Sequence, residues 1–377
     1  MTQQTLEQLE TPALLLDEAQ MQRNIERMRS RLRRLGVGFR PHVKTNKSIE
    51  VSRRLMESPE GPITASTLLE ADYFAQHGVR DILYAVCIAP NKLQHVMKLQ
   101  DQGVRMSLIL DNMETARILA DGARGSGRSF EVLIEIDSDG HRSGVRPEAP
   151  ELLEIARFLH GNGVTLKGVM THAGASYDCK APAEITAMAE QERAGAVRAA
   201  ERLRAAGLPC PVVSVGSTPT ALFAEQLAGV TEVRAGVFVF FDLVMAGLDV
   251  CRTDEIALSV LATVIGHQRE KGWTLLDAGW MAMSRDRGTA GQRVDQGYGL
   301  VCDLDGRPLE DFILVGANQE HGIMARRSGA AGPLPAVGTQ VRILPNHACS
   351  TAAQFRQYEV LGPEHSVTAT WPRFSGW

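Results

Sequence analysis

Short apolar runs alternate with longer amphipathic segments through the first two thirds of the chain. The amphipathic segments, such as residues 19–35 and 184–207, repeat apolar side chains at three- and four-residue spacing and end at glycine, which predicts helices. The short apolar runs between them predict buried strands. These predicted strands are residues 37–43, 63–66, 82–86, 106–110, 131–136, 166–171, 211–215 and 233–239.

Strands that alternate with helices form a parallel sheet, and eight such units are what a (β/α)8 barrel requires. The fold class we predict is therefore α/β, a TIM-type (β/α)8 barrel. An open doubly wound sheet is the alternative, but no GxGxxG motif follows the first predicted strand.

A second domain is predicted where this alternation ends. From about residue 248 the chain reads as strands separated by turns, and residues 11–17 also predict a strand, which we expect to pair with the later ones. We predict a barrel at residues 18–247 and a mostly β domain built from residues 1–17 and 248–377.

Composition narrows the function classes. A charged fraction of 22% and a net charge of −4, with both signs mixed along the chain, argue against a nucleic-acid or membrane-surface partner. Six cysteines without a CxxC pair, a polar N-terminus and the lack of a long apolar run lead us to expect a cytoplasmic protein.

Candidate site residues stand just past the predicted strands, where such barrels hold their active sites. Strand alternation places Arg40, His42 and Lys44 on one face. If that face points into the barrel mouth, Lys44 is partly desolvated and suited to bond a carbonyl; an exposed loop lysine is the alternative. Lys47 is predicted on the surface. The other residues at this rim are Ser66, Thr67, Asp111, residues 137–144, His172, residues 216–220 and Gly236.

Two of these segments suggest anion binding. "VGSTPT" offers backbone N–H groups and hydroxyls after the seventh strand, where barrels commonly hold phosphate, although a plain N-capped turn has the same composition. Arg142 lies in a glycine-bounded loop and could bind a carboxylate, a phosphate or a ring nitrogen, or form a surface ion pair. A lysine, an anion cup and an arginine together suggest pyridoxal phosphate.

The segments "PALLLD", "RPHVKTNK", "DSDGHRSG", "THAG" and "VGSTPT", in this order, resemble the alanine-racemase-like (fold-type III) pyridoxal-phosphate enzymes, in particular the D-serine dehydratase and D-threonine aldolase branch. The resemblance implies that Lys44 holds the cofactor, that Arg142 faces the pyridine nitrogen, that His172 contacts the ring, and that the protein is a homodimer. The phosphate cup that it implies consists of Gly216, Ser217 and Thr218, with Gly236 nearby.

His347 and Cys349 stand two positions apart near the end of the predicted β domain. On a strand this spacing points both side chains to one side, and an imidazole with a thiolate suits zinc. The pattern alone favours a chance pair. The resemblance favours a metal, because this branch has a metal-binding His-x-Cys or His-x-Asp there. Zinc and manganese are the candidates, and the cysteine favours zinc and, by resemblance, a dehydratase.

The resemblance implies a pyridoxal-phosphate- and metal-dependent lyase that removes water from β-hydroxy-D-amino acids, D-threo-3-hydroxyaspartate or D-serine, giving a keto acid and ammonia. A D-threonine aldolase, which yields glycine and an aldehyde, is the alternative, with His321 or His172 as base. A racemase with a tyrosine base, for which this domain offers Tyr298 and Tyr358, and a non-catalytic cofactor-binding protein are less favoured. The candidate cations for an acidic substrate side chain are Arg40, Arg285 and Arg326.

Overall fold

The structure, a computed structural model, describes residues 4–376 and divides into two compact units. One unit contains the chain up to Glu26, Thr45–Glu50 and Val237–Ser375, and the other consists mainly of Arg27–Lys44 and Val51–Gly236. Residues 1–3 and 377, which the domain prediction includes, lie outside the described residues. The predicted boundaries at 18 and 247 stay a prediction. None of the helices in the described part combines the length and hydropathy of a membrane span.

A turn of 3-10 helix (Leu6–Gln8) precedes strand β1 (Ala13–Asp17) and helix α1 (Glu18–Leu35), and the chain then enters an eight-stranded parallel sheet. In space these eight strands follow the order β2-β9-β8-β7-β6-β5-β4-β3. Their bounds are β2 (Gly38–Phe39), β3 (Ile63–Ala65), β4 (Asp81–Cys87), β5 (Arg105–Leu110), β6 (Glu131–Ile136), β7 (Thr165–Thr171), β8 (Val212–Val215) and β9 (Glu232–Val233).

The two ends of this sheet meet and close it. Val43 donates its N–H to the Thr64 carbonyl, and Thr64 donates its N–H to the Pro41 carbonyl, so the chain beyond β2 pairs with β3. The predicted barrel is thereby confirmed. The open sheet that we weighed against it would leave both edges unpaired.

Helices connect successive barrel strands, and their ends follow sequence rules. The Asn112 side chain accepts the Thr115 N–H and starts α5, which ends at Gly127 in the left-handed conformation (φ 65°). Its apolar side chains recur at helical spacing and are buried. The helices are α2 (Ile49–Leu55), α3 (Leu68–Gln76), α4 (Leu93–Asp101), α5 (Met113–Ser126), α6 (Pro150–Gly161), α7 (Pro182–Ala205) and α8 (Thr218–Phe223).

The eighth predicted strand, residues 233–239, is shorter than its apolar pattern indicates. Arg234 and Ala235 still bond to the neighbouring chain segments, but Val237–Val239 forms a turn of 3-10 helix. These residues are fully buried all the same. A continuous apolar run reports burial and does not by itself distinguish a strand from a buried helical turn.

The other unit contains a nine-stranded, largely antiparallel sheet. β1 is an interior strand of this sheet, antiparallel to β10 and parallel to β16, as expected for residues 11–17. Its strands after β1 are β10 (Leu258–Gln268), β11 (Trp273–Leu276), β12 (Leu300–Cys302), β13 (Pro308–Ala317), β14 (Gly322–Arg326), β15 (Gln340–Leu344), β16 (Gln357–Leu361) and β17 (Val367–Pro372). Its short helices include α9 (Leu243–Gly247), α10 (Trp280–Met283) and α11 (Ala348–Ala352).

Candidate functional site

Lys44 stands directly after the last residue that pairs across the barrel closure, Val43. Its side chain is exposed, so the expected partial burial was wrong. Backbone pairing ends at Val43, and Lys44 therefore projects beyond the strand end. Lys47, predicted on the surface, is half-buried just before α2, and its Nζ lies 5.0 Å from the centre of the Phe374 ring.

Two histidines of the barrel unit are uncharged. His172 follows β7, and its Nδ1 lies 3.0 Å from the Gly216 carbonyl oxygen; His42 Nε2 lies 3.3 Å from Ser66 Oγ. Burial lowers the pKa of His172 to about 3 and that of His42 well below its usual value, and the charge of Lys44 acts in the same direction on both pKa values. Because a carbonyl only accepts, His172 Nδ1 carries the proton and its Nε2 keeps a lone pair.

The turn after β8 is tightly fixed. Gly216 has φ 132°, and a Cβ there would lie 2.2 Å from the Arg234 carbonyl oxygen, so only glycine fits. The Ser217 hydroxyl accepts the Thr220 N–H, and the Thr220 hydroxyl accepts the Ser217 N–H, which is a reciprocal helix cap. The N-capped turn that we weighed against an anion cup is therefore present, and Thr218 begins α8 just after it. Gly236 ends the barrel unit.

The two arginines of this unit near His172 differ in burial. The Arg142 side chain is 63% exposed, and its nearest carboxylate oxygen, on Glu135, is 3.8 Å away. Arg234 is buried and donates to Ser214 Oγ and the Thr171 carbonyl. Sequence reasoning missed Arg234, although a charge inside an apolar run was a usable signal of a buried polar contact.

Arg40 is not available to a substrate. Its Nη1 lies 2.8 Å from Asp81 and its Nε 3.0 Å from Glu232, and its side chain is largely buried. Burial raises the pKa of Asp81, but Arg40 and Arg105 outweigh this and hold that pKa below its ordinary value. Arg40 is therefore a structural cation of the barrel interior.

We expect Arg40→Met to lower the free energy of unfolding by about 3–5 kcal/mol at pH 7. The substitution removes the cation that pairs with two largely buried carboxylates, those of Asp81 and Glu232. An aspartate with a lowered pKa stabilises the fold above its unfolded pKa of about 3.9 and loses this effect as pH falls through the folded value. The difference between variant and native protein should shrink in that acid range. Urea unfolding at pH 7 and in this acid range checks the prediction. Arg252→Met is the control, because Arg252 forms an exposed ion pair with Asp254. An unchanged unfolding curve with impaired binding of an acidic substrate would contradict it.

His347 and Cys349 do not lie on a strand, so the predicted reason for their proximity was wrong. β15 ends at Leu344, Pro345 interrupts the sheet, and His347 is the extended residue that precedes α11. Cys349 lies in the first turn of that helix. The two side chains nevertheless interact: burial lowers the pKa of His347, but Cys349 and Asp286 outweigh this and raise it to about 11.

Other side chains of the same unit orient this pair. Asp286 Oδ2 lies 2.7 Å from His347 Nδ1, and the Thr45 hydroxyl lies 3.2 Å from Cys349 Sγ. The hydrogen bond from His347 lowers the pKa of Asp286. Buried Asp242 accepts the Ala348 N–H at 3.0 Å and so fixes the start of α11. Sequence reasoning missed Asp286 and Asp242 because each is remote in sequence from His347.

A third group brings Cys87, Asp111 and Glu135 together at the ends of β4, β5 and β6, with ligand atoms within 4.8 Å of one another. The Cys87 thiol donates to Glu135 at 3.3 Å. Burial first, and the two carboxylates next, raise the pKa of Cys87 far above its ordinary value. A thiol that stays protonated is a poor metal ligand, so the His347–Cys349 pair is the better candidate metal centre.

The other candidate residues differ in their surroundings. The Tyr358 hydroxyl is buried and donates to the Asn46 carbonyl at 2.6 Å, which does not suit a racemase base. His321 is exposed on the turn between β13 and β14. Arg285 stacks on Trp280 and Arg326 on Phe312, at 4.6 and 4.5 Å from the ring centres.

Comparison with known proteins agrees with this arrangement. Residues 16–244 match the family "Alanine racemase, N-terminal domain", and residues 257–361 match the "Putative serine dehydratase domain". D-threo-3-hydroxyaspartate dehydratase from Delftia sp. (strain HT23) is 57% identical over 100% of both chains, and D-serine dehydratase from Dictyostelium discoideum is 30% identical over 95% of both.

A solved cysteine-to-alanine variant of D-threo-3-hydroxyaspartate dehydratase, in the metal-free form, is 56% identical with a TM-score of 0.97 over 100% of both chains. This chain belongs to the fold-type III, alanine-racemase-like family of pyridoxal-phosphate enzymes. Within that family its relatives are dehydratases and, at lower identity, aldolases. All of these are lyases, and this chain is a lyase.

Proposed function

We propose that the chain is a pyridoxal-phosphate- and divalent-metal-dependent dehydratase of β-hydroxy-D-amino acids. D-threo-3-hydroxyaspartate is the substrate that its similarity to the Delftia enzyme favours, with D-serine second. The observation that carries the proposal is the His347–Cys349 pair, held by Asp286, in a chain with the complete barrel of this family.

The residues at the barrel rim fit the cofactor. Lys44 is an exposed amine at a strand end, and buried His42 Nδ1 has no hydrogen-bond partner among the described residues. Lys44 would hold the cofactor, with His172 against the ring. The phosphate cup would consist of Gly216, Ser217 and Thr218, with Gly236 nearby, and Arg142 would face the pyridine nitrogen.

When bound, the cofactor supplies an electron sink for the substrate α-carbon. Lys44 Nζ would take the α-proton once the substrate amine has replaced it. Neutral His172 suits this step, because a second positive charge beside Lys44 would repel the proton that Nζ receives.

His347 and Cys349 fit a divalent metal, zinc or manganese. Imidazole and thiolate are zinc ligands, and Asp286 holds Nδ1, which leaves Nε2 as the ligand atom. Two protein ligands leave positions open for water and substrate. A bound metal would act as a Lewis acid on the β-hydroxyl, which is otherwise a poor leaving group. The metal-free cysteine variant of the Delftia enzyme supports a cysteine ligand.

We expect Asp286→Asn to weaken metal affinity by about 10- to 100-fold, because a carboxylate that orients a ligating imidazole also raises its basicity. The dissociation constant, measured by competition with a metal indicator, checks this without reference to turnover. Asp254→Asn, an exposed aspartate paired with Arg252, is the control. Unchanged affinity in Asp286→Asn would remove Asp286 from the metal site.

Product analysis tests the proposal. Metal-loaded enzyme receives D-threo-3-hydroxyaspartate, D-serine and D-threonine separately, and ammonia, keto acid and glycine are assayed. Ammonia with a keto acid supports the dehydratase and ranks the substrates. Glycine with an aldehyde would instead support the aldolase that the same branch contains.

We also infer a cytoplasmic homodimer. All six cysteines are free thiols, which suits a reducing compartment, and the dimer follows from the family resemblance. Light scattering of the purified chain measures the assembly state, and a monomeric mass for active enzyme would rule the dimer out.

A further inference from the structure

Helix α7 carries one acid in its buried stripe. The apolar residues of this stripe recur at helical spacing from Ile185 to Leu203, and Glu192 occupies one of its positions with 2% of its surface exposed. A carboxylate in such a position costs free energy unless donors surround it. We therefore expect hydrogen-bond donors to Glu192 on the barrel side of the helix.

The partners of Glu192 come from the ends of two neighbouring barrel strands. Its Oε1 accepts the Ala173 N–H at 2.9 Å, just past β7, and the Gly216 N–H at 3.1 Å, just past β8. Burial raises the pKa of Glu192, and Thr220, these two N–H groups and the charge of Arg234 oppose that rise.

These contacts fix the turn that precedes Ser217 and Thr218. Gly216 is bound on both sides, through its N–H to Glu192 and through its carbonyl to His172. With Gly216 anchored, the two residues that follow it have a defined position. A preformed site avoids the entropy cost of ordering the loop when a ligand binds.

We propose that Glu192 is a positioning residue of the cofactor-phosphate cup. This inference rests on the proposed function, since it requires pyridoxal phosphate in the barrel. Glu192 would not contact the phosphate. It fixes the conformation of the Gly216–Thr218 turn through its hydrogen bond to the Gly216 N–H.

The test uses the full-length apo-protein titrated with pyridoxal phosphate and with pyridoxal, which lacks the phosphate. We expect Glu192→Leu to weaken pyridoxal phosphate binding about tenfold more than pyridoxal binding. The substitution leaves the buried Gly216 N–H without its acceptor, and a loss of this kind is worth about a factor of ten in affinity. Glu192→Gln, whose Oε1 still accepts both N–H groups, should restore the affinity. Glu201→Leu, at an exposed position of α7, is the matched control.

The possible results of this titration distinguish a failure of the proposed function from a failure of the role of Glu192. Native protein that binds neither compound would sink the proposed function itself. Native protein that binds, with Glu192→Leu equally tight or equally weakened for both compounds, would overturn the role of Glu192 alone. So would a Glu192→Gln variant that loses affinity at an unchanged melting temperature. If Glu192→Leu does not fold, Glu192→Asp replaces it, because its shorter side chain cannot reach both N–H groups.

Discussion

Lys44→Ala should abolish turnover, with a loss of more than about a thousandfold, because it removes both the covalent attachment of the cofactor and the proposed base for the α-proton. Lys44 lies past the closing pair of the barrel with an exposed side chain, so its loss leaves the barrel hydrogen bonds in place. Borohydride reduction of the native holoenzyme followed by peptide mass spectrometry should find the cofactor on the Lys44 peptide. The variant should show no such adduct.

Lys47→Ala is the matched control for this prediction. Lys47 is three residues away, and its ammonium group stacks on Phe374. We expect it to keep its turnover within about twofold, because its ammonium group stacks on Phe374 and has no role in the proposed reaction. A cofactor adduct on Lys47, or a Lys44→Ala enzyme with substantial turnover, would contradict the assignment.

His347→Ala should retain the cofactor and lose the metal. We expect turnover to fall by about a hundredfold or more, since Lewis-acid assistance to a hydroxide leaving group is worth several kcal/mol. Elemental analysis of the purified variant gives the metal content, and its absorbance spectrum gives the cofactor content. Both are measured on the same sample as the turnover.

His267→Ala serves as the histidine control, because His267 lies in β10 and its Nε2 lies 2.7 Å from the Pro335 carbonyl oxygen. It should retain both metal and activity. Full turnover of His347→Ala in the presence of a chelator would end the metal role proposed for His347 and Cys349. Loss of the cofactor together with the metal would show that the substitution acts on the fold.

The barrel could be predicted because each strand–helix unit is encoded locally. Eight apolar runs separated by amphipathic segments specify the order of the elements, and the position of Lys44, His172 and Gly216 past strand ends follows from that order. The local conformation around His347 could not be predicted in this way. Pro345, two residues before His347, ends the strand, and hydrophobic periodicity alone does not register this signal.

The supporting residues were missed for a different reason. Asp286 bonds His347 across 61 positions of sequence, and Glu192 reaches Gly216 across 24. Such contacts depend on how distant elements pack, and hydrophobic periodicity contains no information on them. Glu192 gives one local signal in the sequence, because it is an acid at an apolar position of a helical stripe. This signal indicates that a buried partner exists but does not identify it.

The position of β1 between β10 and β16 has a consequence for biosynthesis. Its leucines are synthesised long before either sheet neighbour, since β10 begins at Leu258 and β16 at Gln357. The barrel strands are complete in the nascent chain by Val233, so the barrel can close while this apolar segment still lacks both partners. An unpaired strand edge of this kind invites aggregation. Translation therefore leaves a long interval in which a chaperone has a defined apolar segment to shield.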